Sequence, residues 1–315
     1  MLEVVLKTYD MIIIGGGPAG LSAGIYAMRA RLNTILIEKL MPGGQLGMID
    51  HVENYPGFPT GISGSDLSAA IEQQARNLNL EILSSEVISV DFSGHEKVVT
   101  TTDEEFRAAT VILATGAAQR LLGVPGENRL MGKGVSYCAT CDGMLFRDEA
   151  IAVIGGGNTA VQDAVFLTRF AVKVTIIHKR DALRATKILQ ERAFKNPKIE
   201  IAWNSIAVEI QGDQKVENLI IEDVTDGSRR TLPVQGIFVL IGTDPNTEFL
   251  CDHLVLDPGG YIITDEDMQT DVPGVFAAGD CRRKSLNQMV TAAADGAIAA
   301  MSAERYIESL KDRML

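Results

Sequence analysis

Long runs are what this chain of 315 residues most lacks. No apolar stretch approaches the roughly 18 to 20 residues a membrane helix needs; "MIIIGGG" and "GIFVLIG" have strand length. No membrane association is expected. Basic runs are missing as well: 29 Lys and Arg stand against 41 Asp and Glu, for a formal charge of −12. Nucleic acid and anionic lipid bind clustered Lys and Arg, so both are poor partners for it. The opening "MLEVVLKTYD" has no basic segment followed by an apolar core and a cleavage site, so it does not read as a secretory signal. A reducing, cytoplasmic setting is the expectation. There is no low-complexity tract and no heptad pattern.

Cysteine is scarce too, with four residues, yet two of them stand together in "SYCATCDG" (136–143). In a reducing compartment such a pair is more often redox-active or metal-binding than a permanent staple. A structural zinc site wants four ligands. The remaining cysteines, Cys251 and Cys281, are single, and His51, His95, His178 and His253 are scattered. That pattern argues against a metal, and none is expected.

What is present is one motif written twice. "DMIIIGGGPAGLSAGIYAMRARLNTILIEK" (10–39) and "AIAVIGGGNTAVQDAVFLTRFAVKVTIIHK" (150–179) each read as strand, glycine turn, small-residue helix and second strand. The copies keep an offset of 140 residues from Gly15/Gly155 to Glu38/His178. The glycines have separate tasks in a βαβ dinucleotide site. Gly15 and Gly155 allow the tight turn, Gly17 and Gly157 let the backbone approach a pyrophosphate, and Gly20 (Ala160 in the second copy) lets helix pack on strand. A phosphate then rests at the helix N-terminus. A lone glycine fingerprint is weak; two in register predict two bound dinucleotides.

The copies differ at the end of the second strand. Glu38 can accept hydrogen bonds from ribose hydroxyls, which suits FAD or NAD. The second copy reads "HKRDALR", with His178 in the acid's place and Lys179, Arg180 and Arg184 around it. A 2′-phosphate would be attracted there, which suits NADPH, although the same run also fits a solvated helix start.

The strand "TVILATG" (110–116) closes the first segment, and "GVFAAGDCRR" (274–283) leads into a long Ala-rich helix. With 46% hydrophobic residues and this length, two α/β domains are expected. The simplest arrangement is a Rossmann-like FAD domain from 1–117 and 247–315, with a second such domain, 118–246, inserted. "ATGAAQR" and "GTDPNTEF" supply the crossings. With a hydride donor and a flavin both implied, the cysteine pair fits a two-electron acceptor better than a staple. Asp142 either manages protons for it or merely serves the turn before Gly143.

"CATCDG" beside "GGGNTA" and the basic run, within a domain opening "GGGPAG" and closing "AGD", resembles the low-molecular-weight bacterial-type thioredoxin reductases over almost the whole chain. The resemblance implies that Cys138 and Cys141 are the redox pair and Asp142 the acid/base. It implies FAD contacts from Pro18, Ala19, Gly43, Gly44, Gln45, Leu46, Asn54, Ala114, Gly116, Asp280, Asn287, Gln288 and Met289. Val87 would meet the adenine through its backbone, and Asn158 and Thr159 would join the NADPH site. It also implies homodimers that pass electrons from NADPH through FAD to thioredoxin, and a rotation of the inserted domain that brings first NADPH and then the cysteines to the flavin. Two departures stand out: Lys179 replaces an arginine, losing its bidentate fork, and Asn287 replaces another beside the flavin. Rival readings are a ferredoxin-fed flavin thioredoxin reductase, a dithiol oxidase on the same scaffold, and a redox-sensing flavoprotein.

Overall fold

The computed structural model describes residues 7–49, 52, 54–250 and 252–314. His51 and Cys251, two of the scattered ligand candidates, lie outside the described residues. The fold is α/β and the chain forms two compact Rossmann-like units. One runs to Ala118 and resumes at Asp244; the other is Gln119–Thr243.

In the first unit the strand Lys7–Ile14 lies between Thr34–Glu38 and Glu105–Leu113, parallel to both. Glu81–Ser84 extends the sheet beyond Thr34–Glu38, and Val275–Ala277 pairs with the end of Glu105–Leu113, again in parallel. Strands buried on both faces read as continuous apolar runs, which is why "MIII" does not alternate. Met11 and Ile13 face the helices Pro18–Arg29 and Met289–Met314, while Ile12 and Ile14 face the opposite core with Phe106 and Val99. The long helix is rich in alanine because it runs close to its neighbour: a Cβ on Gly296 would collide with the Ala19 carbonyl. Ser22 Oγ donates to the Ala293 carbonyl at 2.7 Å across the same contact.

The second unit has a five-stranded sheet in the order Ile199–Ala202, Lys173–Ile177, Ala150–Ile154, Gly236–Val239, Val135–Ser136. Every pairing in it is parallel. A separate antiparallel sheet is made of Ser205–Gln211, Asn218–Asp223 and Arg229–Pro233. Parallel strands bring their carboxyl ends to one edge, where open α/β sheets bind ligands. In the first unit that edge collects Gly15, Glu38, Ala114 and, just beyond Ala277, Asp280. In the second it collects Gly155, His178 and the cysteine pair, which leaves the edge strand directly after Ser136.

Candidate active site

The first glycine turn is open at one position and closely packed at its neighbours. Gly15 adopts φ +104°, and a Cβ there would strike the Ala114 carbonyl; one on Gly20 would strike the Gly15 carbonyl. Gly17 opens the helix Pro18–Arg29 with ordinary extended geometry, and a Cβ there would meet nothing within 4 Å. Its missing side chain is thus not demanded by the fold. It leaves room for a group that approaches the backbone closely, as a pyrophosphate does.

Some of the residues expected at FAD are tied to that turn, and others to one another. Glu38 Oε2 accepts from the Gly16 N–H at 2.6 Å, fixing the turn against the end of its strand. Gly43 N–H donates to the Gly16 carbonyl at 2.7 Å, and Gln45 Nε2 donates to the Ala117 carbonyl, beside Gly116. Leu46 is buried in a small cluster with Val52 and Leu67, against which Met289 packs. Asn54 Nδ2 donates to Gln288 Oε1 at 2.9 Å. Ser85 N–H donates to the Glu38 carbonyl at 3.1 Å, bringing Val87, first residue of the strand Val87–Asp91, to the end of the Glu38 strand. Asn287, by contrast, is exposed.

Asp280 sits on the 3-10 turn Gly279–Cys281. Lys284 Nζ is 3.0 Å from its Oδ1, but not along a hydrogen-bonding direction, so this buried oxygen is charge-balanced and still lacks a donor. A ligand hydroxyl would satisfy it. Lys284 also bonds Asp295 Oδ2 at 3.2 Å, and that same oxygen accepts from the Gly279 N–H at 3.1 Å. Lys284 and Asp295 were not read from the sequence. The signal was there: a lysine four residues after Asp280, and a single acid inside "TAAADGAIAA".

The second glycine turn repeats the division of labour. Gly155 has φ +143° against the Leu240 carbonyl, and Ala160, in the place of Gly20, is fully buried. A Cβ on Gly157 would again meet nothing within 4 Å. Asn158 and Thr159 begin the helix Asn158–Leu167 on its exposed side. Asn158 Oδ1 accepts from the Thr186 N–H at 2.8 Å, and Arg184 N–H donates to the Gly156 carbonyl at 2.8 Å. These bonds hold the basic loop beside the turn. Lys179, Arg180 and Arg184 are exposed, and among the described residues no ion pair engages their side chains. His178 is different. It is buried, its Nε2 is 3.0 Å from the Ala182 carbonyl, and burial, followed by the neighbouring basic side chains, holds its imidazole below the usual value and hence neutral. The basic cluster is therefore the lysine and the two arginines, with His178 as its inner support.

Cys138 and Cys141 are joined as a disulfide. Both are half-buried, Cys138 capping and Cys141 lying within the single turn Ala139–Asp142; Cys141 N contacts Cys138 Sγ (3.2 Å) and Asp142 N donates to the Cys138 carbonyl (3.1 Å). A disulfide sulfur carries no hydrogen, so in the 3.4 Å contact between Thr140 Oγ1 and Cys138 Sγ the threonine donates. Tyr137 anchors the approach. Its hydroxyl donates to Glu127 Oε1 at 2.7 Å, while the buried Glu127 also accepts from Leu122 N and Gly123 N, each at 2.8 Å. Asp142 Oδ2 accepts from Ser136 Oγ at 2.6 Å, a contact the sequence did not announce.

Two dinucleotide turns and a disulfide on one chain are the parts of a flavin disulfide reductase. The sequence profile of the pyridine nucleotide-disulphide oxidoreductases matches residues 9–296. The chain belongs to that family. A thioredoxin reductase of Peptoclostridium acidaminophilum is 49% identical over 309 residues, covering 96% of this chain and 98% of its own. One from Listeria monocytogenes serovar 1/2a is 46% identical over 309 residues, 98% of this chain and 97% of its own. The crystal structure of thioredoxin reductase from Streptococcus pyogenes MGAS5005 matches with TM-score 0.92 at 46% identity, covering 96% of this chain and 99% of that one. Within this oxidoreductase family, the open approach at Gly17 and the unsatisfied Asp280 oxygen fit FAD. The open approach at Gly157 and the basic trio fit NADPH.

Proposed function

We propose that this protein is a flavoprotein NADPH:thioredoxin disulfide reductase. The observation that carries the reading is the Cys138–Cys141 disulfide, at the same sheet edge as the second glycine turn and with Asp142 directly behind it. FAD belongs to the unit formed by the two ends of the chain, NADPH to Gln119–Thr243. When bound, FAD supplies two-electron chemistry between the nicotinamide and the disulfide.

The chain's own residues do the rest. Gly15, Gly17 and Gly20, with Glu38 and Asp280, orient one dinucleotide; Gly155, Gly157, Lys179, Arg180 and Arg184 orient the other. Two electrons and two protons convert the Cys138–Cys141 disulfide to two thiols, and Asp142 holds one of those protons next to the pair. One thiolate then attacks the disulfide of thioredoxin, giving a mixed disulfide that the second cysteine resolves. The balance is NADPH, one proton and thioredoxin disulfide in; NADP⁺ and thioredoxin dithiol out. We place the enzyme in the cytoplasm as a homodimer; the exposed Tyr26, Ile298 and Met301 offer apolar surface for a second copy. No helix among the described residues is long and apolar enough to cross a membrane.

The ferredoxin-fed and oxidase alternatives do not need the open Gly157 approach or the basic trio. An anaerobic titration with NADPH separates them. Flavin absorbance should bleach with one equivalent of NADPH, and added thioredoxin should then be reduced. A flavin that NADPH does not bleach sinks the reading.

A further inference from the structure

Ser136 is the last residue of the edge strand Val135–Ser136, fixed there by pairing with Phe238, and is only 5% exposed. A buried hydroxyl needs partners. It has one proton to give and two lone pairs with which to accept. Three atoms surround Ser136 Oγ: Asp142 Oδ2 at 2.6 Å, the Cys138 N–H at 3.1 Å and the Cys138 carbonyl at 3.4 Å. The single proton cannot serve both the carboxylate and the carbonyl. With Asp142 ionised the carboxylate takes it, since 2.6 Å lies in the range of charge-assisted O–H···O⁻ bonds. With Asp142 protonated the roles reverse. The acid donates to Ser136 Oγ, and the serine proton turns to the Cys138 carbonyl. The Cys138 N–H remains bonded to Oγ throughout.

We propose that Ser136 is a positioning residue for the redox centre, a hydroxyl rotor that holds Asp142 beside the cysteine pair in both of its protonation states. The proposal deepens the reductase reading above and rests on the proton-handling role given there to Asp142. A carboxylate that alternates between acid and base needs a neighbour that can both accept and donate, and a hydroxyl does both without moving its oxygen. Because the same oxygen also carries the Cys138 N–H, the acid is tied to the backbone of the cysteine it serves.

Other titratable groups stand near. Asp163 lies on the helix Asn158–Leu167, which packs on the cysteine turn, and burial pushes its carboxyl up to about 6. Tyr137, pushed up by burial and then by Glu127, is the next residue before Cys138. A test must therefore isolate Asp142. In holoenzyme carrying ¹³C-labelled aspartate carboxyls, the Asp142 signal is the one lost in Asp142→Asn. Ser136→Ala should move the titration of that signal upward by about one unit, the loss of one hydrogen bond to a charged group. Ser136→Thr, which keeps the hydroxyl, should restore it. The rate of thioredoxin reduction should fall about tenfold in Ser136→Ala, and the same substitution should have a much smaller effect in an Asp142→Asn background, where only the bond to the Cys138 N–H is lost. Flavin content and the melting temperature report whether each variant folds. An Asp142 titration unmoved by Ser136→Ala overturns the proposal, and so does an equal loss of rate with and without Asp142. The carboxyl titration needs no thioredoxin, so a failed substrate assignment is told apart from a failed role for Ser136.

Discussion

The His178 ring fills the space beside Gly156 where any other residue would carry its Cβ. Glu38 does the same beside Gly16, where a Cβ would lie 3.1 to 3.2 Å from the carboxylate side chain. At each turn the middle glycine therefore serves the fold, and the third, Gly17 or Gly157, leaves its backbone open to a ligand. The two roles separate by mutation. Gly156→Ala should destabilise the second unit by about 1 to 3 kcal/mol, the range for overpacking. Gly157→Ala, with φ −85° and open space ahead, should melt like the wild type yet lose most of its affinity for NADPH. Thermal melts and NADPH titrations of both variants check this; equal behaviour of the two would refute the division.

The buried His178 ties the stability of the second unit to pH. Burial holds its folded pKa below the ordinary 6.5, so the unfolded chain takes up the proton first. The contribution of the neutral ring is complete above 6.5 and is lost as pH falls below it. Urea melts between pH 5 and pH 8 should show this loss, and His178→Gln should flatten the slope whatever its effect on absolute stability.

Cys138→Ser and Cys141→Ser should each remain yellow, because the residues fitted to FAD lie in the other unit. Each should lose thioredoxin reduction altogether, since exchange needs both sulfurs. Visible spectra and turnover assays decide it, and near-normal turnover in either variant would remove the pair from the mechanism.

The basic trio should make NADPH strongly preferred over NADH. A hydrogen bond to a charged group contributes roughly 1.5 to 3 kcal/mol, so two good contacts give a preference on the order of 10²-fold. Exposure and the point charge of Lys179 lower that figure. Replacing Arg180 and Arg184 together with Ala should raise KM for NADPH and leave that for NADH nearly unchanged. Equal use of both nucleotides by the wild type would contradict the assignment.

Much of this was legible in the sequence because it is periodic or positional. A register of 140 residues locates both turns, and spacing alone brings Glu38 and His178 to the ends of equivalent strands. What a sequence does not state is direction. The sequence puts His178 in the acid's place with the basic residues around it and leaves its direction open; the ring turns inward because Gly156 leaves it room and the Ala182 carbonyl receives it. Asp295 was hidden for a related reason. In an alanine-rich helix a single acid reads as a solvent-facing residue, and only folding brings Lys284 and the Gly279 N–H to it. Ser136 is the same case at short range, six residues from a partner it meets only because the chain turns at Cys138.

The two crossings between the units pair with each other. Ala117–Gln119 lies against Thr243–Pro245, and the ladder is continued by Asn246 N to the Gly116 carbonyl (3.0 Å) and Arg120 N to the Gly242 carbonyl (3.1 Å). To the first unit, Gln119–Thr243 is thus topologically the tip of a β-hairpin. Closure entropy rises only with the logarithm of length, so a slack tip of roughly 120 residues would oppose hairpin formation by about 3 kcal/mol more than one of about five. A tip that folds on its own holds its ends together and offsets most of that difference. The first unit should therefore accept a short turn in place of everything between those strands and still bind FAD.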